Sequence, residues 1–202
     1  MRLEVWRAQT KWGVEQIGDY GTWVYFAAMA TQPTADDGTA AVTALTKCDA
    51  ASWCDEIQKY DATMTREGYN SGTMSHAWGT AAIPAVVHGV MGLRQTAPGF
   101  ASFEIKPTLG KVASASLKVP SPRGFITINA TSNGQVVAVG VPCNTEATLC
   151  ARLPAAGAEK QLRLALDGEV VAQEDVRSER LHACVERLGC GALGEPRTLS
   201  WV

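Results

Sequence analysis

The stretch DATMTREGYNSGTMSHAWGTAAIPAVVHGVMGLRQTAPGFASFEIKP, residues 61–107, decides the fold because its hydrophobic pattern changes midway. Apolar residues recur at helical spacing over about residues 80–93, which predicts a helix. The Pro-Gly pair at 98–99 then favours a turn, and Phe103–Pro107 is typical of a strand. The chain therefore changes from helical to β structure within this stretch.

Upstream of this stretch the pattern is helical. Apolar residues three and four positions apart predict one helix over residues 14–30 and a second over residues 39–46. The segment TQPTADDG between them, residues 31–38, favours a turn because proline and glycine bracket a polar run. Residues 49–72 are polar and long for a connector, and such segments usually carry functional residues.

Downstream of Phe100 short β-rich stretches are separated by turns, a pattern typical of an antiparallel sandwich. The dipeptide Asp167-Gly168 suits a type I′ hairpin turn. The predicted strands are Phe103–Lys106, Ala115–Val119, Gly124–Ala130, Val136–Val141, Thr148–Leu153, Leu162–Leu166, Glu169–Val171 and a last strand ending at Val202.

A helical part followed by an all-β part is a two-domain pattern, not an alternating one. We predict an α+β multidomain protein with domains at residues 1–96 and 97–202. Three or four helices rarely enclose a pocket by themselves. The helical part therefore looks like the end of a larger domain.

Charge and hydropathy exclude two classes of partner. The net charge is −2 and no basic run exceeds two residues, so nucleic acid is not expected as a partner. No apolar stretch reaches the roughly 18 residues of a membrane span, and the start MRLEVWRAQTKWG lacks the apolar core of a signal peptide. The sequence predicts no membrane partner and leaves localisation open.

The cysteines form no zinc-binding pattern, because none of them belongs to a CxxC pair. We predict neither a metal site nor a cofactor. In an exported protein, two sequence-local disulfides would join the neighbouring pairs. The pairs are Cys143 with Cys150 and Cys184 with Cys190, and the remaining cysteines are Cys48 and Cys54.

Glu67 is the candidate catalytic residue. Hydrolysis of a glycosidic bond requires two carboxyl groups, one that protonates the leaving oxygen and one that activates water or attacks the anomeric carbon. Glu67 stands among Thr63, Thr65 and Tyr69, whose hydroxyls and ring surface suit a sugar. By residue type alone, a glutamate in a loop is more often a solvated surface charge.

The order of motifs closely resembles the C-terminal end of the α-L-rhamnosidase catalytic barrel and its junction with a β-sandwich. The resemblance covers about residues 14–130 and implies the last helices of an (α/α)6 six-hairpin barrel followed by an all-β sandwich. The motifs are Leu45-Thr46-Lys47-Cys48-Asp49, Ser52-Trp53, Ala62-Thr63-Met64-Thr65-Arg66-Glu67, Ser75-His76-Ala77-Trp78-Gly79, Gly92-Leu93 and Phe103-Glu104-Ile105-Lys106-Pro107.

The resemblance also implies roles. Glu67 would be the general base of an inverting reaction on terminal α-L-rhamnosyl residues of a glycoside or polysaccharide. His76, Trp78, Tyr69 and Trp53 would bind the sugar. For His76 a place in a helix N-terminus, and for Trp78 a place in the core, are the competing interpretations.

The chain departs from the family at Arg66, Ala77 and Tyr69, where an apolar residue, a proline and a tryptophan are usual. The family's general acid lies several hundred residues earlier, and no residue upstream of Glu67 here matches it. Loss of one acid–base group costs about 10²–10⁴-fold in rate. We therefore expect the isolated chain to be inactive and to require the missing N-terminal barrel portion as a partner.

Two other hypotheses come from different classes. In the first, the chain is a noncatalytic carbohydrate-binding or interaction module, which saturable sugar binding without Glu67 would favour. In the second, it is a structural remnant that exposes an apolar face and binds no sugar.

Overall fold

The computed structural model describes two compact units, Met1–Val90 and Met91–Val202. The predicted helices before residue 47 lie outside the residues that it describes. Three residues that we assigned to the helical domain, Leu93–Gln95, form a strand of the second unit. The described residues are 66–68, 71–74, 82–110, 112–131, 134–154, 161–175, 182–191 and 194–201.

In the first unit, strands β1 (Arg66–Gly68) and β2 (Ser71–Met74) pair antiparallel. Strand β1 lies within the segment that we predicted as a polar connector, residues 49–72, and β2 begins at its end. A short α-helix, α1 (Ala82–Pro84), then continues directly into a π-helix, Ala85–Val90. Pro84 has no N–H for an α-helical hydrogen bond, and the wider turns begin directly after it.

The helix ends at Val90, before the predicted end at Leu93, because the chain turns at Gly92. Gly92 has a φ of 65°, a left-handed conformation that glycine adopts readily. A Cβ at this position would lie 2.0 Å from the Lys106 carbonyl oxygen, and the Lys106 N–H donates to the Gly92 carbonyl at 3.2 Å. The strand that we missed begins at the next residue.

The second unit contains two sheets. The smaller one has the order β11-β8-β4-β3, and all its pairs are antiparallel except β4–β8, which is parallel. A 3₁₀ turn at Pro98–Phe100 joins β3 to β4, at the Pro-Gly pair that predicted a turn. The strands of this smaller sheet are β3 (Leu93–Gln95), β4 (Ser102–Ile105), β8 (Glu146–Arg152) and β11 (His182–Leu188).

The larger sheet is antiparallel throughout, with the order β10-β9-β12-β7-β6-β5. The hairpin and meander connections arise where turn residues separate strands that are adjacent in sequence. The strands of the larger sheet are β5 (Ser114–Ser121), β6 (Gly124–Thr131), β7 (Val136–Gly140), β9 (Gln161–Leu166), β10 (Glu169–Asp175) and β12 (Arg197–Trp201).

The two sheets enclose the core. Strand β8 packs against β7 and β12, and the Trp201 Nε1–H donates to the Arg152 carbonyl at 2.7 Å across the sheets. Alternate side chains are buried along β4, β6 and β7, as in sandwiches. The predicted β-sandwich is confirmed, with β3 and β11 as strands that we missed. The largest buried side chains are Met91, Leu93, Phe103, Ile105, Leu109, Ile126, Ile128, Val137, Leu149, Leu164 and Leu199.

The predicted Asp167-Gly168 hairpin is confirmed between β9 and β10. The two residues have φ of 53° and 89°, the positive values that a type I′ turn requires. The Asp167 carboxylate accepts the Thr198 N–H at 2.7 Å and the Arg197 Nε–H at 2.5 Å, and the Asp167 N–H donates to the Thr198 carbonyl at 2.8 Å. These hydrogen bonds attach the turn to strand β12.

Replacing Asp167 with Ala should lower the free energy of unfolding by about 1 kcal/mol, because it removes a hydrogen bond and a partly exposed ion pair. Asp167→Asn keeps an acceptor for the Thr198 N–H and tolerates positive φ, so its loss should be smaller. Urea denaturation of both variants measures the difference. Equal losses would show that the backbone bond contributes nothing.

Candidate functional site

Glu67 lies in strand β1, not in a loop as we predicted. The pairing of β1 with β2 matches Arg66 with Met74 and Gly68 with Ser71, and the register shifts between Arg66 and Gly68. Glu67 therefore occupies the irregular position of a two-stranded hairpin. Irregularities of this kind are frequent at sheet edges and beside active sites.

The four residues expected to bind sugar, Trp53, Tyr69, His76 and Trp78, lie outside the described residues. Their roles therefore stay predictions, as does the role of Glu67 as the base. Within the described part of the chain, no group of three His, Cys, Asp or Glu side chains could hold a metal ion. Nor does any helix in that part have the length and hydropathy to cross a membrane.

Among the described groups, His182 is the one residue with a strongly shifted pKa, and no sequence pattern pointed to it. It begins β11 and is 7% exposed. Its Nε2–H donates to the Pro107 carbonyl at 3.1 Å, so Nδ1 is the ring's acceptor atom. Nδ1 and the hydroxyl of Thr108, the residue after Pro107, are both buried and have no hydrogen-bond partner among the described residues.

The pKa of His182 is lowered from 6.5 to about 4, and burial of the ring is the largest cause. The hydrogen bond to the Pro107 carbonyl opposes this lowering, and the nearby cations Lys106 and Arg152 contribute to it. The imidazole is therefore neutral near pH 7. Among the described residues, its role is that of a hydrogen-bond donor to the Pro107 carbonyl.

The free energy of unfolding should fall as the pH drops below about 6.5, since the unfolded chain then binds a proton that folded His182 excludes. The loss should approach about 3 kcal/mol and level off below pH 4, the folded pKa. Urea denaturation between pH 4 and 7.5 measures it. His182→Gln should remove this dependence, whereas a change at exposed His88 should not.

The described cysteines form two disulfides, Cys143–Cys190 and Cys150–Cys184. The local pairs that we suggested, Cys143 with Cys150 and Cys184 with Cys190, were therefore wrong. Cys150 and Cys184 lie opposite each other in the β8–β11 register. Strands β9 and β10 intervene in sequence but belong to the other sheet, which sequence spacing did not reveal.

Residues 92–162 match the family model of the bacterial alpha-L-rhamnosidase C-terminal domain. The alpha-L-rhamnosidase from Dictyoglumus thermophilum is similar in structure, with a TM-score of 0.63, 14% identity, and coverage of 91% of this chain and 20% of that one. The Streptomyces avermitilis alpha-L-rhamnosidase complexed with L-rhamnose has a TM-score of 0.64 and 19% identity, covering 91% and 18%. No curated protein matches significantly by sequence.

These comparisons confirm the resemblance drawn from the motifs. The chain spans about a fifth of the length of each of the two solved rhamnosidases. Because both sequence identities are below 20%, these two structures support the fold alone. The family model matches the part of the chain from Gly92 to Leu162.

Proposed function

We propose that this chain, which carries the C-terminal domain of bacterial α-L-rhamnosidases at residues 92–162, is part of an enzyme that hydrolyses terminal α-L-rhamnosyl residues. The observation that carries the proposal is the family match, and the two rhamnosidase folds support it. The substrate is a rhamnose-containing glycoside or polysaccharide.

In the proposed reaction Glu67 is the general base. It takes a proton from the water that attacks the anomeric carbon, while a protonated carboxylic acid gives its proton to the leaving oxygen. Because the water must fit between the sugar and Glu67, the two carboxyl groups stand about 6.5–9.5 Å apart and the product has inverted configuration. We assign the acid to the N-terminal barrel portion, outside these 202 residues.

The four other site residues bind the sugar in this account. An aromatic ring offers a flat apolar surface to the C–H groups of a pyranose, which suits Trp78, Trp53 and Tyr69. His76 donates a hydrogen bond to a sugar hydroxyl. These contacts hold the anomeric carbon within reach of the water that Glu67 activates.

The test is the configuration of the first product. The polypeptide captured from its source with an antibody against residues 91–202 is incubated with 4-nitrophenyl α-L-rhamnopyranoside, and proton NMR follows the released sugar. We expect β-L-rhamnose to appear before mutarotation. Initial release of α-L-rhamnose would refute inversion, and the absence of release would refute the rhamnosidase function itself.

A further inference from the structure

The outer face of the β5–β6 hairpin presents an unusual exposed group, here named the Phe125 surface. On β6, Ile126 and Ile128 are fully buried in the core, so alternate residues point to the opposite face. Phe125, on that opposite face, is 58% exposed. The Phe125 surface consists of Ser116, Lys118, Phe125, Thr127 and Asn129.

The aromatic ring on this surface is held in place. The Lys118 ammonium lies 4.2 Å from the centroid of the Phe125 ring, a cation–π distance. The contact restrains both side chains, yet most of the ring remains exposed to solvent. A restrained aromatic ring costs little entropy when a ligand stacks on it.

Polar groups lie beside the ring. The Ser116 hydroxyl donates to the Asn129 Oδ1 at 2.8 Å, which fixes the amide and leaves its NH₂ as a source of two donors. Asn129 is opposite Ala138 and Thr127 is opposite Gly140 in the β6–β7 register. The Thr127 hydroxyl lies above Gly140, where a Cβ would be 2.3 Å from Oγ1, so Thr127 adds a further polar group to this face.

The charge of this region is positive. Strands β5, β6 and β7 contain no Asp or Glu, and Lys118 is their one charged residue. Arg123 in the turn between β5 and β6 adds a second cation, and its Nη1–H donates to the Asn144 carbonyl at 3.0 Å. The surface therefore suits a neutral or anionic ligand.

We propose that the Phe125 surface binds a saccharide chain, and that a chain carrying uronate carboxylates binds more tightly than a neutral one. A pyranose offers C–H groups to the ring and hydroxyls to Asn129, Ser116 and Thr127 at once, and the carboxylates pair with Lys118. A protein partner would call for a larger contiguous apolar patch. This site lies on the sandwich and does not involve Glu67, so it goes beyond the proposed hydrolysis.

The probe is an oligosaccharide of alternating rhamnose and galacturonic acid, titrated into the full 202-residue chain by isothermal calorimetry. A carboxyl-reduced sample of the same oligosaccharide is the neutral comparison. We expect saturable binding of both, with the acidic form tighter and more sensitive to salt. No heat with either probe, or equal affinities at low salt, would overturn the proposal.

Variants locate the binding. Phe125→Ala and Asn129→Ala should each weaken it about tenfold, the size expected of a central contact. Val170→Ala, a change at an exposed valine on β10 at the other edge of the sheet, is the matched control and should not. Wild-type affinity in Phe125→Ala would overturn the assignment.

Discussion

Replacing Glu67 with Gln in the native-length polypeptide should lower kcat for aryl α-L-rhamnosides by about 10²–10⁴-fold, the usual contribution of one acid–base group. The amide has nearly the shape of the carboxylate but cannot accept a proton from water. KM should change much less, because binding of the sugar rests on other residues. Steady-state kinetics of the variant measures both parameters.

The control separates a base from a merely structural residue. Azide is a nucleophile that needs no deprotonation, so it should restore turnover in Glu67→Gln and yield a rhamnosyl azide of inverted configuration. Glu169→Gln, a change at an exposed residue of the β9–β10 hairpin, should retain full activity. Full activity in Glu67→Gln would show that another residue is the base.

Removing the Cys150–Cys184 disulfide should destabilise the sandwich by about 3 kcal/mol, within the usual range for a disulfide. The bond spans 34 residues and joins β11, at the edge of the four-stranded sheet, to β8. Cys150 is fully buried, so its substitution also affects packing. The double variant Cys150→Ala/Cys184→Ala, compared with wild type by urea denaturation, measures the loss.

Hydrogen exchange shows where the loss occurs. Amides of β8 and β11 should exchange faster in the double variant, while the β5–β6 hairpin in the other sheet should change only with global unfolding. Wild type treated with a reductant should behave like a variant that lacks both disulfides, since Cys143–Cys190 joins the same pair of strands from the adjoining loops. An unchanged urea midpoint in the double variant would contradict the pairing.

Local patterns predicted much of the β unit. The alternation in β6 and the Asp167-Gly168 turn depend on neighbours in sequence, and the structure contains both. Strand β3 was missed because Leu93–Gln95 follows apolar residues at helical spacing without a break. Strand β11 was also missed. Its register shifts between Val185 and Leu188, and Arg187 has a φ of 57°. This irregularity interrupts the alternation of buried and exposed residues by which a strand is recognised in a sequence.

Long-range features were not predictable from local pattern. The disulfide partners and the His182–Pro107 bond join residues 34 to 75 positions apart, and these contacts follow from the sheet topology. The Phe125 surface was also hidden, because a phenylalanine in an alternating strand is ordinarily assigned to the core. The order of motifs predicted the family better than it predicted these long-range contacts. Two of the motifs contain Gly92 and Phe103, and the structure places Gly92 at a turn and Phe103 in strand β4.

We propose that these residues work as the C-terminal part of a larger rhamnosidase. The most direct measurement is an immunoblot of source-cell extract with an antibody against residues 91–202, with each size fraction assayed for α-L-rhamnosidase activity. We predict a band several times larger than 21.5 kDa that coincides with the activity. A band near 21.5 kDa, in fractions without activity, would contradict the account.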